Sequence, residues 1–296
     1  MSEREPGRTA APPADPAAEL RERIRAALPW TGRLFPPGQV ALLRLHGTIS
    51  GGSRSADWIE LVKRLRESPR IPAVVLDLDS GGGSATASDD LYLALARLAE
   101  RKPLVAAIRG IGASGAYLAA MAAARVIANP NAIVGSIGVI SVGPRVPRLL
   151  ERTGIGVSVT KAGRHKDVGS PWRDETDEER AIEQRLVDAF YDAFVERVAA
   201  GRRMPPERVR ELATGEVWLG REALERGLVD EIGDLERAVE IAAELAGVPA
   251  RGAPVRLRRP LLGRLTERFA SSVAAGLAGE LEARLADRVR MERPGS

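Results

Sequence analysis

Val74-Val75-Leu76-Asp77-Leu78-Asp79-Ser80-Gly81-Gly82-Gly83-Ser84 begins as an apolar, partly β-branched run and ends in three consecutive glycines flanked by serines. Residues 74–78 suit a buried strand, and the glycines suit a tight turn. Residues 85–98 then carry apolar side chains at helical spacing. The same succession recurs further on. Residues 104–108 form another apolar run, Arg109-Gly110-Ile111-Gly112-Ala113-Ser114-Gly115 a second glycine-rich turn, and 116–124 a helix of small residues. Upstream, 40–45 reads as a strand and 56–67 as an amphipathic helix, joined by the turn-rich stretch 47–55. Strands alternating with helices through glycine turns predict an α/β domain with parallel strands. No repeat of fixed period is present.

Beyond residue 124 the segments are shorter. Strands are expected at 125–128, 132–139 and 155–160, with a helix at 145–152. A long helix is expected over about 176–201. Thr176 and Glu179 fit a capping box, Ile182, Leu186, Phe190, Phe194 and Val198 recur every four residues, and Gly201 marks a stop. Such a helix packs at a domain edge or in a subunit interface. A short helix at 205–213, a strand at 217–219, a helix–strand run from Gly220 to Gly233 and a helix at 235–246 close the domain. The chain thus divides into a Pro/Ala/Glu/Arg-rich extension with a short helix (1–38, the helix near 17–28), a folded domain (39–247), and a linker with a basic amphipathic helix (248–296).

The 296 residues include no Cys and only two His, His46 and His165. Disulfides, thiolate metal sites and cysteine nucleophiles are excluded, and multi-histidine metal centres are disfavoured. Of 44 cationic side chains only four are lysines: Lys63, Lys102, Lys161 and Lys166. Arginine does not give up its proton in a protein, so an amine base must come from those four or the N-terminus. The formal net charge of +4 resides in 255–296, which has nine basic and five acidic residues, whereas 39–254 has 29 and 30. With 4% aromatic residues and no basic stripe in the body, nucleic-acid binding is not expected. No stretch supplies the ~20 apolar residues of a membrane span, and the N-terminus lacks a signal-peptide h-region. A cytoplasmic location is expected.

Two turns could carry chemistry. The N–H groups of the 80–84 turn, beside a helix start, could receive an oxyanion or a phosphate, although the sequence is neither a Walker loop nor GxGxxG. The plainer reading is a tight turn. Ser114 stands where a strand passes into a helix among small neighbours, which would expose its hydroxyl near a helix N-terminus. Its plainer reading is an N-cap. A serine nucleophile needs a base, and the choices are His46, His165, Lys161 and Lys166. The two lysines fall within six residues of each other in a chain that otherwise uses Arg. A lysine acts as a base only when desolvated, with its pKa lowered from ~10.4 to about 7–8. The plainer reading is two exposed lysines.

Taken in order, the motifs resemble the signal peptide peptidase A (protease IV) family of Ser/Lys peptidases, which share the Clp/crotonase-like fold of repeated strand-strand-helix units. The likeness covers roughly 39–247. The stretch from Val40 to Ile49 is similar to the family's first strand and turn. Asp79-Ser80-Gly81-Gly82-Gly83-Ser84 is similar to its Asn-Ser-Pro-Gly-Gly-Ser turn, and Ala113-Ser114-Gly115-Ala116-Tyr117 to its Ala-Ser-Gly-Gly-Tyr nucleophile turn. Ala128-Asn129-Pro130 and Gly135-Ser136-Ile137-Gly138-Val139 come next in order. The segment with Lys161, Lys166, Asp167, Ser170, Arg173, Thr176 and Glu179 resembles the family's lysine segment. Gly220-x-x-Ala223 and Gly227-Leu228-Val229-Asp230-x-Ile232-Gly233 resemble its closing motif.

This resemblance implies that Ser114 is the nucleophile and Lys166 the general base, with Lys161 a secondary candidate. It implies an oxyanion hole built on the backbone N–H of Gly83, helped by Gly82 or Gly115. No metal or cofactor is implied. The substrate would be a peptide or unfolded protein with apolar stretches, such as a remnant signal peptide. Members with one such domain form homo-oligomeric rings in which adjacent subunits contribute Ser and Lys.

The chain departs from the family pattern at Gly81 (Pro in the family), Ala116 (Gly) and Asp79 (Asn), and no N-terminal transmembrane anchor is read in it. In the tail, Leu261, Leu265, Phe269, Val273, Leu277, Leu281, Leu285 and Val289 recur every four residues with arginines between them. That pattern suits either a helix making peripheral membrane contact through 261–290 or an oligomer-packing helix. Two rival functions share the fold. One is a crotonase-type acyl-CoA hydratase or isomerase, for which Asp89 and Asp90 would be the available carboxylates, although both read as first-turn helix acids. The other is a catalytically silent scaffold at the membrane.

Overall fold

The computed structural model describes residues 38–255; the helix expected near 17–28 and the amphipathic segment 261–290 lie outside them. In chain order the first half comprises β1 (Val40–His46), α1 (Ser53–Glu67), β2 (Val74–Ser80), α2 (Ala85–Ala99), β3 (Leu104–Ala113), α3 (Gly115–Ala120), β4 (Arg125–Ala128) and β5 (Ile133–Gly135). The second half comprises α4 (Pro147–Thr153), α5 (Asp177–Arg202), α6 (Pro206–Leu212), β6 (Val217–Leu219), α7 (Gly220–Glu225), β7 (Glu231–Ile232), α8 (Leu235–Ala246) and β8 (Gly252–Pro254).

The three long apolar runs form the middle of one sheet, ordered β6-β5-β3-β2-β1-β8, with β4 beside β3 and β7 beside β4. Only the β5–β6 pair is antiparallel. Val74, Val75, Leu76 and Leu78 are all buried, so β2 reads as a continuous apolar run rather than an alternating one. Val40, Val75, Val105, Ala107 and Ile127 pack against Ala238, Ile241 and Ala242 of α8. Elsewhere α1 lies on α2, α2 on α3, and α3 against β2 and β3. This is the Clp/crotonase-like α/β architecture.

β3 is the strand that positions the site. Its first half pairs with β4 and its last three residues with β5. Between them lies a bulge: Leu78 stands opposite Ile108, but Ser80 stands opposite Gly112. Asp79 Oδ1 accepts the Ile111 N–H of the bulge (3.1 Å), and a Cβ on Gly110 would lie 2.6 Å from the same oxygen. Bulges bend a strand and re-aim its continuation. In β3 that continuation leads to Ser114. A side-chain oxygen is all that the Asp79 position supplies, so Asp serves there as Asn would.

Several expected elements differ. Only 133–135 of the 132–139 stretch is a strand, and 155–160 pairs with nothing among the described residues, leaving Ile155, Val157 and Val159 exposed. Its alternation suits a strand, but a strand needs a neighbour. Gly201 does not end α5, which runs to Arg202 and closes on Arg203 at φ 53°. Gly201 is instead a packing glycine, since a Cβ there would meet Met121 O at 2.8 Å. The capping box forms as expected: Glu179 N donates to Thr176 Oγ1 (3.2 Å) and Thr176 N to Glu179 Oε2 (3.0 Å). The apolar residues that α5 buries, Phe194, Val195, Val198 and Ala199, lie in its C-terminal half, while Leu186 is exposed. β8 lies parallel to β1 within the stretch expected to be linker, so ordered structure continues past 247.

The closing motif ties α3 and α5 to the sheet. Arg202 grips both oxygens of Asp230 (2.9 Å each) and the Gly227 carbonyl (2.8 Å), and the second Asp230 oxygen also accepts Val126 N–H (2.7 Å). The buried Tyr117 hydroxyl donates to Leu228 O (2.7 Å), and burial pushes its pKa up. Burial opposes the Asp230 charge, but the Arg202 and Val126 hydrogen bonds outweigh it and hold Asp230 below the usual carboxylate range. A depressed carboxylate contributes stability above its unfolded pKa of ~3.9 and loses it as pH falls through the native value. Arg202→Met should therefore cost about 2–3 kcal/mol in urea unfolding at pH 7. That gap should shrink steadily below about pH 4; a gap independent of pH would rule out the pair as its source.

Candidate active site

Ser114 ends β3 with φ 51° and ψ −126°, a backbone conformation costing on the order of 1–3 kcal/mol for a residue with a side chain. The surroundings enforce it. Ser114 N donates to Gly135 O (2.8 Å), Leu118 N donates to Ser114 O (2.9 Å), and all six residues of α3 are buried. The serine is half-buried, and its hydroxyl makes no capping hydrogen bond. Ser114 thus occupies the N-cap position of α3 without the side-chain hydrogen bond of a cap, and its hydroxyl has no partner among the described residues.

The second glycine turn lies directly against this one. A Cβ on Gly82 would come 2.5 Å from Gly115 N and 2.9 Å from Ser114 Cβ, and one on Gly83 would overlap Ile49 O. Both glycines have positive φ, 90° and 153°. Across the interface a Cβ on Gly115 would overlap the hydroxyl of fully buried Ser88, while remaining 3.6 Å from Gly83 N. The Gly83 and Gly115 N–H groups have no partner among the described residues. Gly82 differs from the expectation, because its N–H already donates to Ser80 Oγ (3.1 Å). Of the three expected donors it is the one already engaged within its own turn. Nothing lies within 4 Å of a Cβ placed on Gly81, so the crowding that requires glycine at 82 and 83 does not extend to it.

Ser114, Gly83 and Gly115 open onto a cavity of about 940 Å³. Leu118, Val139, Phe190 and Phe194 supply apolar wall, and Ser136, at φ 50°, faces it from the β5 side. Asp89 and Asp90 also line it, a turn further into α2 than expected. Asp89 pairs with Arg197 (3.4 Å), whose guanidinium lies 4.6 Å from the centre of the Tyr92 ring. The sequence signal for Phe190 and Phe194 was their place in the α5 stripe. Nothing local marks Ser136, Asp89 or Arg197 as neighbours of Ser114, because they converge only through the fold.

The expected bases are not in this cavity. Lys166 is exposed on the arm between β5 and α5, and its amine has no hydrogen-bond or ion-pair partner among the described residues. Lys161, on the same arm, is committed to Asp167 and the Arg164 carbonyl. His46 pairs with Asp77 (3.3 Å) and His165 with Glu178 (3.6 Å), and neither lines the cavity. Among the described residues no cluster of acidic or histidine side chains could hold a metal, and no helix is long and apolar enough to cross a membrane.

A serine on a strained strand-to-helix turn, beside glycine amides unpaired among the described residues, is set in a Clp/crotonase-like domain. Peptidase family S49 matches residues 96–249. A putative protease of Synechocystis is 38% identical over 80% of this chain and 86% of its own length. The chloroplastic serine protease SPPA of Arabidopsis thaliana is 34% identical over 74% of this chain, which spans only 34% of that protein. A putative signal peptide peptidase of Enterococcus faecium is 34% identical over 62% of this chain and 54% of its own length. The chain belongs to peptidase family S49, the signal peptide peptidase A (protease IV) family.

The turn packing gives a direct stability test. Gly81→Ala should change the free energy of urea unfolding by no more than about 0.5 kcal/mol. Gly82→Ala and Gly83→Ala should each lose about 2 kcal/mol or more, because the new Cβ meets backbone at a positive φ. Equal midpoints for all three would mean that the two turns are not packed as described.

Proposed function

We propose that this protein is a serine endopeptidase that uses Ser114 as nucleophile and Lys166 of an adjacent subunit as general base. The observation that carries this reading is the strained Ser114 turn, whose free hydroxyl shares one cavity with the unpaired N–H groups of Gly83 and Gly115. Ser114 Oγ attacks the scissile carbonyl carbon and passes its proton to the neutral amine of Lys166. The tetrahedral oxyanion is held by the Gly83 and Gly115 amides, two fixed donors that need no reorganisation when charge develops. Collapse breaks the C–N bond, and the leaving amine takes the proton back from Lys166. Water, deprotonated by the same amine, then hydrolyses the acyl-serine.

Lys166 supports the shared-site part of the proposal by where it is: exposed, unpartnered and outside the cavity of its own chain. The arm that carries it also exposes Ile140, Val142, Leu149 and Ile155. Apolar surface of that kind suits contact with a second copy in a ring. Seating the arm over a neighbour's cavity would strip water from the amine, as a lysine base requires. The apolar wall of Leu118, Phe190 and Phe194 suits unfolded, hydrophobic peptides, of which remnant signal peptides are an example.

Incubating the purified protein with an unfolded substrate and with a signal peptide should give cleavage. Ser114→Ala and Lys166→Ala should each reduce it about a thousandfold without changing assembly size. Undiminished cleavage by both variants would remove the dyad. Turnover of an acyl-CoA with no cleavage by the wild type would replace the reading with a crotonase-type activity, one that could use Asp89 or Asp90.

A further inference from the structure

The arm around Lys166 has turns but no strand or long helix, yet the residue after Lys166 is among the most heavily bonded in the molecule. Asp167 Oδ1 accepts from Lys161 Nζ, and Oδ2 accepts from Arg173 Nε (3.2 Å). The Asp167 carbonyl accepts from Arg173 Nη2 (3.2 Å) and from Ser170 Oγ. Arg173 in turn is forked onto Glu179, with Nη1 2.8 Å from Oε2 and Nη2 on Oε1. Glu179 is buried and closes the capping box with Thr176, so the network is anchored in the first turn of α5. The Arg173 fork, joined by the Thr176 amide, lowers the Glu179 pKa to about 2. The Lys161 hydrogen bond, opposed by burial and joined by Arg173, holds Asp167 below the usual carboxylate range. These groups stay ionised wherever a peptidase would work. Of the other charges on the arm and the start of α5, Arg164 and His165 face Glu178, Arg145 and Arg180 face Glu175, Glu183 lies beside Gly169, and Asp174 adjoins Arg173.

In the middle of this network one side chain, Lys166, is left with a free amine. A carboxylate on the adjacent residue is the natural ion-pair partner for such an amine, and pairing would keep it protonated and turned away from a substrate. Both oxygens of Asp167 are already taken by other cations. We propose that Lys161 and Arg173 are positioning residues that offset the charge of Asp167, fixing the backbone beside Lys166 and keeping the adjacent carboxylate from capturing its amine. This rests on the reading of Lys166 as the base. It also gives Lys161, which sequence alone leaves as a second base, a different task.

The test uses the full-length assembled protein and a fluorogenic unfolded peptide, with kcat and KM measured from pH 6 to 10. Lys161→Met frees Asp167 Oδ1 for Lys166. It should lower kcat at pH 7 about tenfold with KM within about twofold, and move the acidic limb of the profile up by about one pH unit. Activity should therefore recover at high pH. Lys161→Arg, which keeps a cation on Asp167, should restore the wild-type profile, and Arg173→Met should behave as Lys161→Met does, with its assembly size checked alongside. Wild-type profiles in Lys161→Met and Arg173→Met, with Lys166→Ala inactive, would overturn the positioning role alone. A loss in Lys161→Met that no pH or arginine restores would overturn it too, pointing to Lys161 as a base. Full activity in Lys166→Ala would instead remove the underlying reading.

Discussion

Two backbone turns pass so close together that a Cβ on Gly82 would run into the backbone at Gly115. Gly82, just after β2, lies against Ser114 and Gly115, just after β3, while Ile49 crowds Gly83 and Ser88 of α2 crowds Gly115. The contact accompanies a serine held in a conformation that side-chain-bearing residues avoid, and two amides beside it have no partner among the described residues. The rest of the domain maintains it. The Asp79-supported bulge aims the end of β3, buried α3 anchors the far side of the turn, and Tyr117 with the Arg202–Asp230 pair locks α3 and α5 to the closing motif. Strain at one residue is kept because many ordinary contacts over-determine it.

Much of this architecture was legible in the sequence because it depends on local signals. β1, β2 and β3 announce themselves as apolar runs ending in glycine, and α5 by a capping box that forms as written. What failed was what depends on distant partners. Residues 155–160 alternate as a strand does, but nothing among the described residues pairs with them. Gly201 looks like a helix stop, yet it is a point of contact with Met121, which no local pattern shows. β8 is too short to be read without knowing that the edge of β1 is available to it.

The site shows the same division. The placing of Ser114 between a strand and a helix was legible from the local sequence, but which amides of the glycine turn are already engaged was not. Gly82 spends its N–H on Ser80, so only Gly83 and Gly115 retain free donors. Asp89, Ser136 and Arg197 reach the cavity from three separate elements, and only folding brings them together. The scarcity of lysine narrowed the choice of base to a few positions. The structure separates the two on the arm by their partners: Lys161 is bound to Asp167, and Lys166 is not bound at all among the described residues.

A single chain therefore holds half of the proposed chemistry in its cavity and the other half on an exposed arm. Whether the halves meet between subunits can be measured by mixing. Ser114→Ala and Lys166→Ala proteins, each inactive alone, would be dissociated, combined in equal amounts and reassembled. If each site takes Ser114 from one subunit and Lys166 from the next, random assembly leaves both in about a quarter of the sites, and about a quarter of wild-type peptidase activity should return. Verified mixed assemblies that remain inactive would contradict the shared site.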